Sequence, residues 1–211
     1  MFRLNEITES YMTAWLLFVR SQFPDSDSRA ISEQTTLVNL LDYSVSNIYV
    51  GQLKAAYKEA FSTLDKVAVL INHYLDIGHN ESSVYYSNVW YEPPPLDSEQ
   101  PVVAAAVRTG GYRLLGLHLL CRELSGSKYS HLRNALTHRY ARVYRVLPGP
   151  KGSQTFEQMS ALTAELLYKI KCAIMYATLF IEHRERQKSS PGGVPVVQLE
   201  LATNQNLDIW Q

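Results

Sequence analysis

Residues 131–145 (HLRNALTHRYARVYR) bring an imidazole, a carboxamide and several guanidinium groups into one short segment. Histidine titrates near neutrality and moves protons in both directions. A deprotonated His138 could take the proton from a ribose 2′-hydroxyl, which then attacks the adjacent phosphate. The fork of Arg133 would bind the phosphoryl oxygens and stabilise the charge that builds up in the transition state. Asn134 could hold the imidazole tautomer or orient the phosphate. The chemistry available to such a set is RNA cleavage without a metal, and it needs no carboxylate cluster.

Charge is segregated around these residues. Between Glu123 and Glu157 there is no acidic side chain, whereas Lys128, Arg133, Arg139, Arg142, Arg145 and Lys151 fall in that stretch. The whole chain carries 20 basic and 20 acidic side chains, which excludes a general attraction to nucleic acid and leaves a local patch. Lys128, Arg139, Arg142 and Arg145 are the candidate RNA contacts. The same run also reads as a solvated face that acids elsewhere in the fold neutralise.

A helix over about 131–146 is expected to carry the motif, with Leu132, Leu136 and Val143 as its buried stripe. His138 would then lie roughly 200° around the axis from Leu136, facing outward. Asn134 and His138 are neighbours four apart, and Arg142 is another four along. Arg133 and His138 are separated by roughly 140°. Either arginine's long arm spans that angle, or two copies of the helix meet across a dimer axis.

The elements that must position this segment follow from periodicity. Phe2 to Arg20 predicts a first helix ending near Pro24, with Asp25 to Arg29 as a loop; residues 31–49 are compatible with helix but rich in β-branched residues. From Gly51 to Leu75, Leu53, Tyr57, Ala60, Leu64, Val67 and Ile71 recur at helical steps, and Gly78 marks a stop. Residues 79–101 break the pattern at Pro93, Pro94 and Pro95. There, Tyr85, Tyr86, Trp90 and Tyr91 either cover the bundle or form a stacking surface for bases. A helix from about Val102 to Leu124, weakened at Gly110 and Gly111, leads through a connector at 125–130 into the motif helix. Pro148, Gly149, Pro150 and Gly152 end that helix. Thr155 and Gln158 form a capping box opening the longest helix, to about Glu185. After Ser189 the alternation of Val197, Leu199 and Leu201 suggests a short strand.

The expectation is an all-α fold: a helical bundle of four to five long helices with N-terminal helical additions and a short extended C-terminal tail. Its units would be residues 1–50, 51–186 and 187–211. Cys121 and Cys172 make neither a disulfide framework nor a zinc site. His73, His79, His118, His131 and His183 lack ligand spacing, so neither metal nor cofactor is expected. Ala161 to Ile181 carries Glu165, Lys169 and Lys171, too much charge for a membrane span. A cytoplasmic protein is the default.

The segment Arg133 to His138 (RNALTH) resembles the signature of the HEPN superfamily: Arg, a polar residue, three more, then His. The stretch Tyr57 to Leu75, with Leu64, Asp65 and Lys66, is similar to an earlier helix of one prokaryotic subfamily, and the resemblance covers about Gly51 to Glu185. It implies a homodimer with a composite active site and metal-independent endoribonuclease activity, leaving 2′,3′-cyclic phosphate and 5′-hydroxyl ends. Arg133 and His138 would be the catalytic pair and Asn134 the supporting residue. Many such proteins act as toxins or as effectors of antiviral defence and stress; others are non-catalytic modules that dimerise and bind RNA or nucleotide. A regulatory or antitoxin protein is a further implied partner. Tyr140 matches a tyrosine that a nucleotidyltransferase modifies in some family toxins. It also stands four residues after Leu136, where core packing explains it. Asp65 either pairs with Arg133 from a facing helix or stays solvated beside Lys66.

Overall fold

The computed structural model describes residues 2–23, 25–34, 43–92, 98–109, 111–125, 127–138, 141–145 and 153–188. In chain order these form α1 (Phe2–Gln22), α2 (Ser26–Glu33), α3 (Ile48–Tyr74), α4 (Pro101–Arg108), α5 (Tyr112–Leu124), α6 (Ser127–His138), β1 (Val143–Tyr144), β2 (Gln154–Thr155) and α7 (Phe156–Lys188). The fold is an all-α bundle, as the periodicity predicts.

Helix α3 is its centre. Asn47 caps it, its side-chain oxygen accepting from the amide of Val50 at 2.8 Å, which satisfies one orphan donor of the first turn. Leu53, Ala56, Tyr57, Ala60, Leu64, Val67 and Ile71 are all buried and form one continuous stripe along the helix. It packs against both α1 and α7, and α5 packs on α7. The helix stops at Leu75; Asp76 takes a left-handed conformation (φ 52°), followed by Gly78 at φ 86°. The chain thus turns one residue pair before the glycine that signals the stop. Helix α1 adds Ile7 and Ala14 to the same core and is tied to α3 by Lys66, whose ammonium meets Glu6 at 3.0 Å and Ser10 at 2.7 Å.

The capping box of α7 is present. The Thr155 amide donates to Gln158 Oε1 at 3.0 Å, and the Gln158 amide donates to Thr155 Oγ1 at 3.1 Å. Met159, Leu166, Ile170, Ala173, Ala177 and Phe180 form its buried stripe. Among the aromatic residues of the 79–101 segment, Tyr86 and Trp90 pack inward. Tyr86 donates to the carbonyl of Leu117 at 2.9 Å, and the Trp90 ring stacks on His118 with centroids 5.2 Å apart. A ring of this size takes roughly 200 Å² out of water, about 5 kcal/mol before ordering costs. These two cover the bundle; Tyr85 stays exposed.

Four local expectations are corrected. Asp25 does not sit in a loop but caps α2, accepting from the Ser28 amide at 2.7 Å. The helix expected over 102–124 is two helices, α4 and α5, joined by a close turn. A Cβ on Gly111 would stand 2.5 Å from the carbonyl oxygen of Ala106, so only glycine permits that approach. The connector at 125–130 is largely the start of α6, which begins at Ser127. Most consequential, the motif helix ends at His138. Val143 and Tyr144 form a strand parallel to Gln154–Thr155, and the Val45 amide donates to the Val143 carbonyl at 2.7 Å. Val143 is buried through that strand and not through a helical stripe; Arg142 is not on the helix. Two β-branched and aromatic residues with waiting backbone partners favour extended chain over another helical turn. Pro24, Pro93 to Pro95, Pro148 to Gly152 and the expected tail strand lie outside the described residues.

Candidate active site

Helix α6 is anchored by its first turns. Tyr129 is buried; its carbonyl accepts from the Tyr57 hydroxyl at 2.9 Å, and its own hydroxyl accepts from Lys169 at 2.8 Å. Lys128 pairs with Glu165, which also meets Lys169 at 3.0 Å, and Lys169 in turn pairs with Glu123. Hydrogen bonds from Lys128, Tyr129 and Lys169 hold the Glu165 carboxyl down at about 2. Further along, Leu132 and Leu136 pack partly against the core. These contacts fix which side of α6 faces the bundle.

Arg133 is held next. Its Nη2 lies 3.0 Å from Oδ2 of Asp65, and its guanidinium carbon lies 5.7 Å from the centroid of the Phe61 ring, both on α3. The other oxygen of Asp65 accepts from the Tyr86 amide at 3.0 Å. Burial pushes the Asp65 carboxyl above its ordinary value, although the Tyr86 amide and the Arg133 charge both pull the other way. Desolvation therefore outweighs the two attractions, and the carboxylate depends on its guanidinium partner. Of the two sequence readings of Asp65, the pairing across α3 and α6 is the one present.

The other motif residues are placed unevenly. Asn134 is exposed. His138 is the last residue of α6, in register with Asn134 one turn earlier; its side chain, and all of Arg139 and Tyr140, lie outside the described residues. Of the candidate RNA contacts, Arg142 and Arg145 are exposed on the segment after α6, while Lys128 is at the opposite end of that helix with its charge met by Glu165. The structure thus joins Arg133 to Asp65 and does not gather the whole basic run at one spot.

A cleft of about 660 Å³ opens beside Leu136, where the chain leaves α6. Lys54, Lys58 and Arg142 are its charged lining residues, and no carboxylate lines it among the described residues. Lys54 donates to the carbonyl of Ala141 at 2.6 Å, and burial lowers its pKa. Sequence reasoning missed both lysines. The signal was available: positions 54, 58, 61 and 65 share one stripe of α3, so the lysines lie in line with Asp65. Among the described residues, no group of three or more His, Cys, Asp or Glu side chains could hold a metal ion. None of the described helices is long and apolar enough to cross a membrane.

No curated protein and no solved structure matches the chain. A family model does: the one described as LA2681-like HEPN matches residues 2–184, a span that takes in α1 and α2 as well as the stretch carrying the motif. The Arg-polar-x3-His segment on α6, the arginine docked on α3 and the all-α bundle accord with that match, and the chain belongs to the LA2681-like HEPN family.

Proposed function

We propose that this protein is a metal-independent endoribonuclease acting as a toxin or as an effector of defence or stress in the cytoplasm. HEPN families commonly include ribonuclease toxins. The observation that carries the reading is the docking of Arg133: an ion pair to Asp65 and the face of Phe61 hold its guanidinium on the motif helix, beside a basic cleft. A fork held in place before substrate arrives needs no reorganisation to meet the charge of a phosphorane-like transition state. His138 would take the 2′-hydroxyl proton and return one to the leaving 5′-oxygen. Asn134 would orient the phosphate or the ring. Positions 133 and 138 stand roughly 140° apart around a helix axis, so a second copy of the chain supplies the partner helix in this reading, and the site is composite across a homodimer. Regulation by another protein, through Tyr140 or otherwise, belongs to the same reading.

The test is incubation of purified protein with a mixed transfer and messenger RNA pool, followed by mapping of the cut ends. Cleavage leaving 2′,3′-cyclic phosphate, unaffected by EDTA and lost in His138→Ala and Arg133→Ala, is the expected result. Retained cleavage by either variant would remove that residue from the mechanism, and loss of activity with EDTA would refute the metal-free route.

One observation favours a second reading, a non-catalytic module that binds RNA or nucleotide: Arg133 already has a carboxylate partner, which leaves less of its fork for a phosphate. Tight RNA binding with no product after prolonged incubation would select that alternative.

A further inference from the structure

The cleft beside Leu136 and the docked arginine belong to one track. On α3, residues 54, 58, 61 and 65 follow one another at helical steps of four, three and four, and so share a face. That stripe runs about 16 Å along the helix axis. At one end Asp65 grips Arg133; in the middle the Phe61 ring lies under the same guanidinium; at the other end Lys54 and Lys58 line the cleft, with Arg142 on its opposite wall. The only carboxylate of the stripe is the one already paired with Arg133. A polyanion lying along α3 would therefore meet a guanidinium and then two ammonium groups in succession, with Val45, Leu136 and Val143 as apolar surface beneath it.

The volume narrows the class of ligand. About 660 Å³ is the size of a small-molecule pocket, enough for a nucleotide or two of one strand and too little for a duplex. Single-stranded nucleic acid is held in this manner elsewhere, by a positive groove that follows the backbone beside surfaces that accept bases. We propose that this cleft is a subsite for the backbone of single-stranded RNA, in which Lys58 and Lys54 hold successive phosphates on one side of the linkage gripped by Arg133. The proposal rests on the ribonuclease reading and adds residues that the motif does not contain. Lys54 has a second task there. Through its bond to the Ala141 carbonyl it holds the segment following the motif against α3, which keeps Arg142 on the far wall. Lys58 is exposed, so it can be replaced without disturbing the fold.

The experiment uses the full chain and a single-stranded 2′-O-methyl oligonucleotide, which lacks the attacking hydroxyl and stays intact. Binding is measured by fluorescence anisotropy across a salt series for the parent, Lys58→Ala, Lys58→Arg and Lys171→Ala, the last an exposed lysine on α7. Each phosphate contact on a single strand contributes about 0.7 to the slope of log affinity against log salt. The slope of Lys58→Ala should be shallower by about that amount, restored in Lys58→Arg and unchanged in Lys171→Ala. In cleavage of ordinary RNA, Lys58→Ala should raise KM several-fold with kcat nearly constant. If the parent binds and cuts but Lys58→Ala alters neither slope nor KM, the subsite is wrong and the ribonuclease reading stands. If the parent neither binds nor cuts, that reading falls and takes the subsite with it. A duplex of the same sequence that competes as well as the single strand would overturn the assignment to unpaired RNA.

Discussion

Replacing Arg133 by alanine removes the charge paired with a carboxylate that burial already disfavours, and the consequence can be bounded. With Nη2 3.0 Å from Oδ2, the two charge centres stand about 4 Å apart, an attraction of roughly 4 kcal/mol at an effective dielectric near 20. Solvent reduces it, because the Asp65 side chain is 25% exposed and that of Arg133 38%. The loss also has a ceiling. An orphaned carboxyl can take up a proton, and for a group whose pKa lies above 3.8 this costs no more than about 4 kcal/mol at pH 7. Between an exposed pair worth under about 1 kcal/mol and a buried one whose breakage costs about 3–5, we expect Arg133→Ala to lose about 2 kcal/mol.

The sign with pH follows from the same carboxyl. Its folded-state pKa is raised, so the native protein holds that proton to higher pH than the unfolded chain, and removing the guanidinium raises it further. The deficit of Arg133→Ala relative to the parent should therefore be largest near pH 7 and shrink as pH falls through the carboxyl's titration. Adding Asp65→Asn removes the orphaned charge, so the double variant should recover part of the loss. Urea unfolding of the parent, both single variants and the double variant at pH 7 and pH 4 gives the full cycle. Additivity within about 0.3 kcal/mol, or a deficit identical at both pH values, would refute the claim that this pair docks α6 on α3.

Two further outcomes concern the anchoring of the same helix. Glu165 is held at about 2, below its ordinary 4.5, first by the Lys128 hydrogen bond, so its contribution is complete above pH 4.5 and lost as pH falls toward 2. The side chain is 40% exposed, which limits the effect to about 1 kcal/mol or less. The urea midpoint of Glu165→Gln should fall less than the parent's between pH 5 and pH 2.5; equal falls would contradict this. Tyr57→Phe removes a buried hydroxyl and the second of the bonds that the Tyr129 carbonyl accepts, a loss of about 1 kcal/mol, with faster amide exchange over 127–138. Unchanged exchange in α6 would mean that this bond does not hold the helix.

Periodicity and caps were enough for the long helices. The apolar recurrence of α3 and α7, the Thr155–Gln158 box and the all-α class are local properties, encoded in which residues fall on one side of a 3.6-residue turn. The HEPN motif was legible as a string, but its place was not: the spacing put it at the start of a helix over 131–146, whereas α6 begins at Ser127 and ends on His138. Tertiary structure decided the rest. Continuing the motif helix through Val143 satisfied helical spacing, but a two-residue strand has no period to read, and its partners, Gln154 beyond a loop and Val45 far off in sequence, are not visible from its own residues. Asp65 could as well have been solvated until α6 crossed α3 and placed Arg133 against it. Lys54 and Lys58 read as ordinary polar positions on an amphipathic helix, because a cleft is made by the second wall, here Leu136 and the strand that follows it. Helix formation is settled by neighbours along the chain; ion pairs, short strands and clefts depend on segments that only folding brings together.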